Sequence, residues 1–217
     1  MIQSEEQIHS LCKLYNITNY IINDDGSIDV NGNIDLSTQR IYKLPLIFNK
    51  VSGHFDCSYN KLTSFKGCPI IVVGDFHCND NQLTSLMGCP DKINGHFDCS
   101  YNELTTLDGC SIEIGEGFDC SNNNLSSLKG CPKIVGGNFY CNYNKLTTLN
   151  SIPLEIAGDS IYISYNLLHS FYHLVNINLG NKMTIFVKYM DHYDVFNPMF
   201  NEQNGLDLIE EIKDGLK

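Results

Sequence analysis

The sequence predicts a β-rich repeat solenoid closed by helical caps, and three observations carry that prediction. Apolar residues recur at a step of 21, as Phe55, Phe76, Phe97, Phe118 and Phe139 and as Cys57, Cys78, Cys99, Cys120 and Cys141. The same step carries Asn60, Asn81, Asn102, Asn123 and Asn144, then Leu62, Leu83, Leu104, Leu125 and Leu146. Within one copy, Phe76 and Cys78 alternate with Asp75, His77 and Asn79, the period-two signature of a strand with one buried face. A fixed period of this size describes units that bury their apolar face only by stacking on their neighbours.

Taken in order, the chain divides into an N-terminal helix and capping strand (1–30), a solenoid of about seven coils (31–175) and a C-terminal α/β cap (176–217). Ser4 and Gln7 form a capping-box pattern, and Ile8, Leu11, Cys12 and Tyr15 supply an apolar stripe. This predicts a helix over about residues 4–15 that shields the first coil. Asn23–Ser27 reads as a turn and Ile28–Val30 as a strand. The first coil is degenerate but in register, with Ile34, Leu36, Ile41, Leu44 and Ile47 lying 21 residues before Phe55, Cys57, Leu62, Phe65 and Cys68. Five regular coils follow, and a further one contains Ile161, Ile163, Asn166, Leu168, Phe171 and Leu174, displaced by one residue.

Inside each coil, Asn81 and its equivalents sit at the bend after the strand. Their amides are suited to satisfy backbone groups that the turn leaves unpaired, which predicts a buried asparagine ladder. Leu83 and Leu86 point inward on the return path, and Gly88-Cys89-Pro90 turns the chain back. Too few residues follow for a long helix, so the far side is expected to be extended or 3₁₀-like. Beyond the coils, Met183–Val187 predicts a final strand, and Asn204–Gly215 an amphipathic helix with an asparagine cap and a glycine stop.

Nine of the ten cysteines obey the repeat, in the column 57/78/99/120/141 and a second column 68/89/110/131. They replace apolar residues, Leu36 and Ile163 in the first column and Ile47 and Ile152 in the second, and so read as small buried hydrophobes with free thiols. Free thiols, together with an N-terminus lacking a basic and apolar leader, fit a reducing, cytoplasmic setting. No apolar run approaches the roughly 20 residues of a membrane span. The net charge of -11, from 25 acidic against 14 basic residues, argues against direct nucleic-acid binding.

The phrase Val73-x-x-Phe76-x-Cys78-x-x-Asn81-x-Leu83 resembles the leucine-rich repeat consensus, with phenylalanine and cysteine at two leucine positions. The 21-residue length and the Gly-Cys-Pro ending are similar to the short leucine-rich repeats of bacteria and their phages. Over roughly residues 28–175 the resemblance implies a right-handed curved solenoid with a parallel sheet on its concave face. For function it implies a scaffold for protein recognition. A phage-encoded chain of this type would engage or inhibit a host factor, such as a defence component, in the host cytoplasm.

Outward strand positions are free of core duty, so their composition points to the site. One row runs His54, Asp75, His96, Gly117, Asn138 and Ser160; the next runs Asp56, His77, Asp98, Asp119, Tyr140 and Tyr162. The third, near the strand exit, runs Tyr59, Asp80, Tyr101, Asn122, Tyr143 and Tyr165. The first two rows form a His/Asp checkerboard. It fits cross-strand pairs that avoid stacked like charges, a partner interface, or mixed ligands for a divalent metal. The tyrosines offer large contact areas with polar tips, as interfaces do, although tyrosine is also a good exposed strand residue. Catalysis has little support: a nucleophilic cysteine needs exposure and a base, there is no phosphate-binding glycine loop, and no cofactor is implied. The sequence thus predicts a non-catalytic protein-binding scaffold. The alternatives are a structural or virion-associated assembly protein and an acidic mimic of nucleic acid.

Overall fold

The structure is a computed structural model describing residues 3–158, 160–168, 183–190, 192, 193, 195 and 201–216. It is a parallel β-solenoid. The N-terminal helix α1 spans Glu5–Leu14, with Ser4 as N-cap. Its capping box is formed: Gln7 N–H donates to Ser4 Oγ at 3.3 Å and Ser4 N–H to Gln7 Oε1 at 2.9 Å. Ile8 and Cys12 face inward and are buried. The turn over residues 23–27 joins β1 (Tyr20–Ile22) to β2 (Ile28–Val30) as an antiparallel pair, so β1 covers the N-terminal edge of a sheet. The turn and β2 are as the sequence predicts, whereas the three residues of β1 are too short a stretch to leave a periodic signal.

Each coil contributes two short strands rather than one. The first sheet continues from β2 through β4 (Phe48–Val51), β6 (Ile71–Val72), β8 (Lys92–Ile93), β10 (Glu113–Ile114), β12 (Ile134–Val135) and β14 (Glu155–Ile156). The second comprises β3 (Ile34–Asp35), β5 (Phe55–Asp56), β7 (Phe76–His77), β9 (Phe97–Asp98), β11 (Phe118–Asp119), β13 (Phe139–Tyr140) and β15 (Ile161–Tyr162). Neighbouring coils pair in parallel and in register, Phe55 with Phe76 and Phe76 with Phe97. The one-residue displacement of the last coil is real, since Phe139 pairs with Ile161.

The corner between the two strands of a coil explains a glycine column. Gly74 N–H donates to Gly53 O at 2.9 Å. A Cβ on Gly74 would lie 2.9 Å from that same oxygen, so a side chain there would push the coils apart. The return turns need glycine for a different reason: Gly67, Gly88, Gly109 and Gly130 have φ of 92, 85, 93 and 86°.

The core is a column of phenylalanines, with ring centroids 5.2 Å apart for Phe76–Phe97 and 5.3 Å for Phe97–Phe118. Beside it run the buried cysteines of the first column and the leucine columns. All ten cysteines are free. In the second column Cys68 and Cys89 are buried, whereas Cys110 and Cys131 are partly exposed. Two core assignments slip by one residue. Leu46 is buried where Ile47 was expected, and Val72 rather than Val73 faces inward, following the alternation of β6.

The asparagine ladder forms as the repeat predicts. Asn102 Nδ2 donates to Cys78 O at 3.0 Å, Cys99 O at 3.2 Å and Ser100 O at 3.2 Å, while Leu83 N–H donates to Asn102 Oδ1 at 3.0 Å. Asn60, Asn81, Asn123 and Asn144 repeat the pattern, so each asparagine ties its coil to the one before.

At the C-terminal end the predicted strand Met183–Val187 is instead a helix, α2 (Met183–Tyr189), in which Phe186 and Val187 are buried. A mostly apolar stretch of five residues does not by itself distinguish strand from helix. The last helix, α3 (Glu202–Asp214), starts earlier than Asn204. Its cap is Asn201, whose Oδ1 accepts from Asn204 N–H at 3.1 Å, and Gly215 closes it at φ 117°. Phe171 and Leu174, assigned to the last coil, lie outside the described residues.

Candidate functional site

The first outward row lies just before the second-sheet strands, the second on them and the third in the bend that follows, and each is held by a different local device. In the first row, His54, Asp75, His96 and Asn138 each accept a hydrogen bond from the backbone of the next coil. His54 N–H donates to Asn33 Oδ1 at 3.0 Å, Asp75 N–H to His54 Nδ1 at 2.9 Å and His96 N–H to Asp75 Oδ1 at 2.8 Å. Gly117 N–H donates to His96 Nδ1 at 3.1 Å, and Ser160 N–H to Asn138 Oδ1 at 3.2 Å. Asn, Asp and His share one property here, an acceptor at the δ position. This row is therefore a capping ladder before it is anything else. The common acceptor across Asn33, His54, Asp75, His96 and Asn138 was a signal available in the sequence.

The checkerboard survives only in part. His54 Nδ1 lies 3.0 Å from Asp75 Oδ2, but it already accepts from Asp75 N–H and so has no proton to donate to that carboxylate. His77 sits beside Asp56 and Asp98 in the ladder, but the carboxylate nearest its Nε2 is Asp75, at 3.9 Å. His96 Nε2 pairs at 2.7 Å with Glu116, a residue outside the three rows. In that coil the order of glycine and polar residue is exchanged: Glu116 occupies the corner position and Gly117 the row position.

Asp56 does not turn to His77, because it closes a turn. Its Oδ1 accepts from Ser58 N–H at 2.8 Å and from Ser58 Oγ at 2.6 Å. Asp98 does the same with Ser100, and Asp119 accepts from Ser121 N–H at 2.8 Å. The side chain thus mimics one backbone turn, which is why aspartate recurs two residues before serine. Asp98 and Asp119 are adjacent in register with no imidazole between them. Burial pushes the Asp119 carboxyl above its ordinary range; the Ser121 hydrogen bonds pull it down, and the charge of Asp98 pushes it up.

The third row is not strand. Tyr59, Asp80, Tyr101, Asn122, Tyr143 and Tyr165 all have left-handed backbones, with φ between 51 and 58°. Non-glycine residues rarely occupy that region; Asp80 and Asn122 are of the types enriched there, whereas a bulky side chain such as tyrosine is unusual. The conformation turns the four tyrosines outward. Tyr59, Tyr101, Tyr143 and Tyr165 are 59, 58, 47 and 70% exposed.

At the C-terminal half the tyrosines join into two parallel stacks. Tyr140 and Tyr162 lie 4.5 Å apart at 7°, and Tyr143 and Tyr165 4.3 Å apart at 8°. Asn138 Nδ2 donates to the Tyr140 hydroxyl at 3.3 Å and fixes that ring. None of the three rows contains a lysine or arginine.

Among the described residues, no group of three His, Cys, Asp or Glu side chains is arranged to hold a metal ion. Burial pushes the Cys89 thiol up to about 12, and Cys57, Cys78, Cys99, Cys120 and Cys141 also rise well above the ordinary range. No described helix is long and apolar enough to cross a membrane. No family model, no curated protein and no solved structure matches the chain.

Proposed function

We propose that this chain is a non-catalytic recognition scaffold of the short leucine-rich-repeat type that binds a protein partner through its second-sheet face, the concave face of such a solenoid. The observation that carries this reading is the paired stack of Tyr140/Tyr162 and Tyr143/Tyr165. Stacking between coils holds the rings in place, so little side-chain entropy is lost when a partner covers them. Exposed aromatic area with polar tips is the usual anchor of an interface. Buried, weakly acidic thiols and turn-locked carboxylates leave the face without an evident nucleophile. On the resemblance to phage repeats, the partner is a host factor met in the host cytoplasm.

A second reading, acidic mimicry of nucleic acid, is favoured by one observation: the rows bear Asp56, Asp75, Asp80, Asp98 and Asp119 with no lysine or arginine. Salt separates the two readings. Mimicry weakens steeply with ionic strength, and tyrosine packing does not.

The test is affinity capture from host lysate with paired baits, native and a Tyr140→Ala/Tyr162→Ala variant. The aspartates are left intact, since Asp56 and Asp98 hold turns. A protein kept by the native bait is expected to be lost from the variant, with affinity down by about 2 kcal/mol or roughly thirtyfold. A partner retained equally by both refutes the assignment of the face.

A further inference from the structure

The outward face of the first sheet carries a second pattern, which is symmetric. In register from coil to coil run Lys50, Ile71, Lys92, Glu113, Ile134 and Glu155. These residues point away from the core, because Val51, Val72, Ile93, Ile114 and Val135 immediately after the first five are buried. Read from its centre, this six-residue stretch is its own complement, lysine, isoleucine, lysine against glutamate, isoleucine, glutamate; Asp29, in register before Lys50, lies outside it. The adjacent row adds Ile70, Ile112 and Leu154, which are 51, 69 and 72% exposed. Lys92 and Glu113 sit on neighbouring coils, yet no ion pair joins them among the described residues.

We propose that this face binds a second copy of the same chain across a two-fold axis running along the strand direction between Lys92 and Glu113. A two-fold contact uses one patch twice, so the patch must be complementary to itself. Here Lys50 meets Glu155 of the second copy, Ile71 meets Ile134, and Lys92 meets Glu113, each pair occurring twice. In the adjacent row Ile70 covers the stem of Lys133, and Asp91 packs on Ile112 one coil away from Lys133. Glu155 opens into a shallow cavity of about 540 Å³ shared with Leu154, Ile156 and Ile185, which gives the long Lys50 side chain room. Lys188, the cation on that rim, is turned over the ring of Tyr189 at 5.1 Å.

The alternatives are rejected by charge. A shift of one coil in either direction places Lys92 against Lys92 or Glu113 against Glu113 on the axis. Turning the second copy so that like coils meet opposes every charge to itself. Like charges directly opposed are unfavourable, so the pattern specifies one register. Six coils at about 4.8 Å give a strip roughly 25 Å long, which places the contact in the small, concentration-dependent class of interfaces.

The experiment is sedimentation equilibrium of the full chain over a concentration series, for the native protein, Lys92→Glu, Glu113→Lys, the double variant and Tyr162→Ala, with far-UV circular dichroism confirming the fold of each. The native mass should rise with concentration toward twice the 24.5 kDa of one chain. Either single charge reversal should weaken association more than tenfold, the double reversal should restore it, and Tyr162→Ala should leave it unchanged. A native mass that stays at one chain, single variants that associate like the native protein, a double variant that fails to recover, or loss of association in Tyr162→Ala would each overturn the proposal.

Discussion

Asn102 offers the sharpest test of what holds the coils together. It is 8% exposed and makes three donor contacts, to the carbonyls of Cys78, Cys99 and Ser100, while accepting from Leu83 N–H. Asn102→Ala leaves the buried Leu83 amide with no acceptor, which costs about 1–3 kcal/mol, and losing the donor contacts adds roughly 1–2 kcal/mol. A total of about 3 kcal/mol is expected. Asn102→Asp keeps the shape and the acceptor but loses both donors, and it sets a carboxylate against three carbonyl oxygens. It should therefore cost more than alanine at pH 7. The sign of its pH dependence follows. The folded state raises the introduced carboxyl above its unfolded value of about 3.9, so the deficit is smallest below about pH 4 and grows as pH rises through the folded-state value. With no tryptophan in the chain, urea unfolding is best followed by far-UV circular dichroism. Variants within about 0.5 kcal/mol of the native protein, or an aspartate no worse than the alanine at pH 7, would refute the ladder as the main tie between coils.

Two further outcomes are expected. Thiol titration of the native protein at neutral pH should be slow at all ten cysteines, with the partly exposed Cys110 and Cys131 first to react and Cys57, Cys78, Cys99, Cys120 and Cys141 reacting only on unfolding; rapid labelling of the first column in folded protein would contradict the core assignment. Asp119→Asn retains an acceptor for Ser121 N–H and removes the repulsion with Asp98. Because the folded-state value of Asp119 is raised, the native protein loses stability as pH rises through it. The variant should therefore gain in urea midpoint above about pH 4 and show no gain below, and a gain independent of pH would contradict this.

Much of the fold was legible because the repeat states it many times. The step of Phe55 through Phe139 gave the coil, and the asparagine column gave the ladder that Asn102 exemplifies. What escaped was written in single short stretches. The first sheet rests on strands of mostly two residues, such as Ile71–Val72, too brief for a periodic signal, so Val73 was taken for Val72. The stretch Met183–Val187, four apolar residues and a threonine, favours a strand on composition alone, and only its packing as a helix decides otherwise. At the site, residue types were read as free surface chemistry when several carry backbone duties. His54 and Asp75 are acceptors for the next coil, and Asp56 and Asp98 close turns with Ser58 and Ser100. The tyrosine columns were visible, but their left-handed backbone was not, since nothing local distinguishes Tyr59 from a strand residue.

The most direct test of recognition through the tyrosine face is photo-cross-linking in host lysate. A photoreactive phenylalanine analogue would replace Tyr162 in one sample and Ile112, on the other sheet, in a second. The account predicts a heterologous adduct from position 162, none from position 112, and loss of that adduct when Tyr143 and Tyr165 are also alanine. A heterologous adduct formed from position 112 and not from position 162 would contradict it.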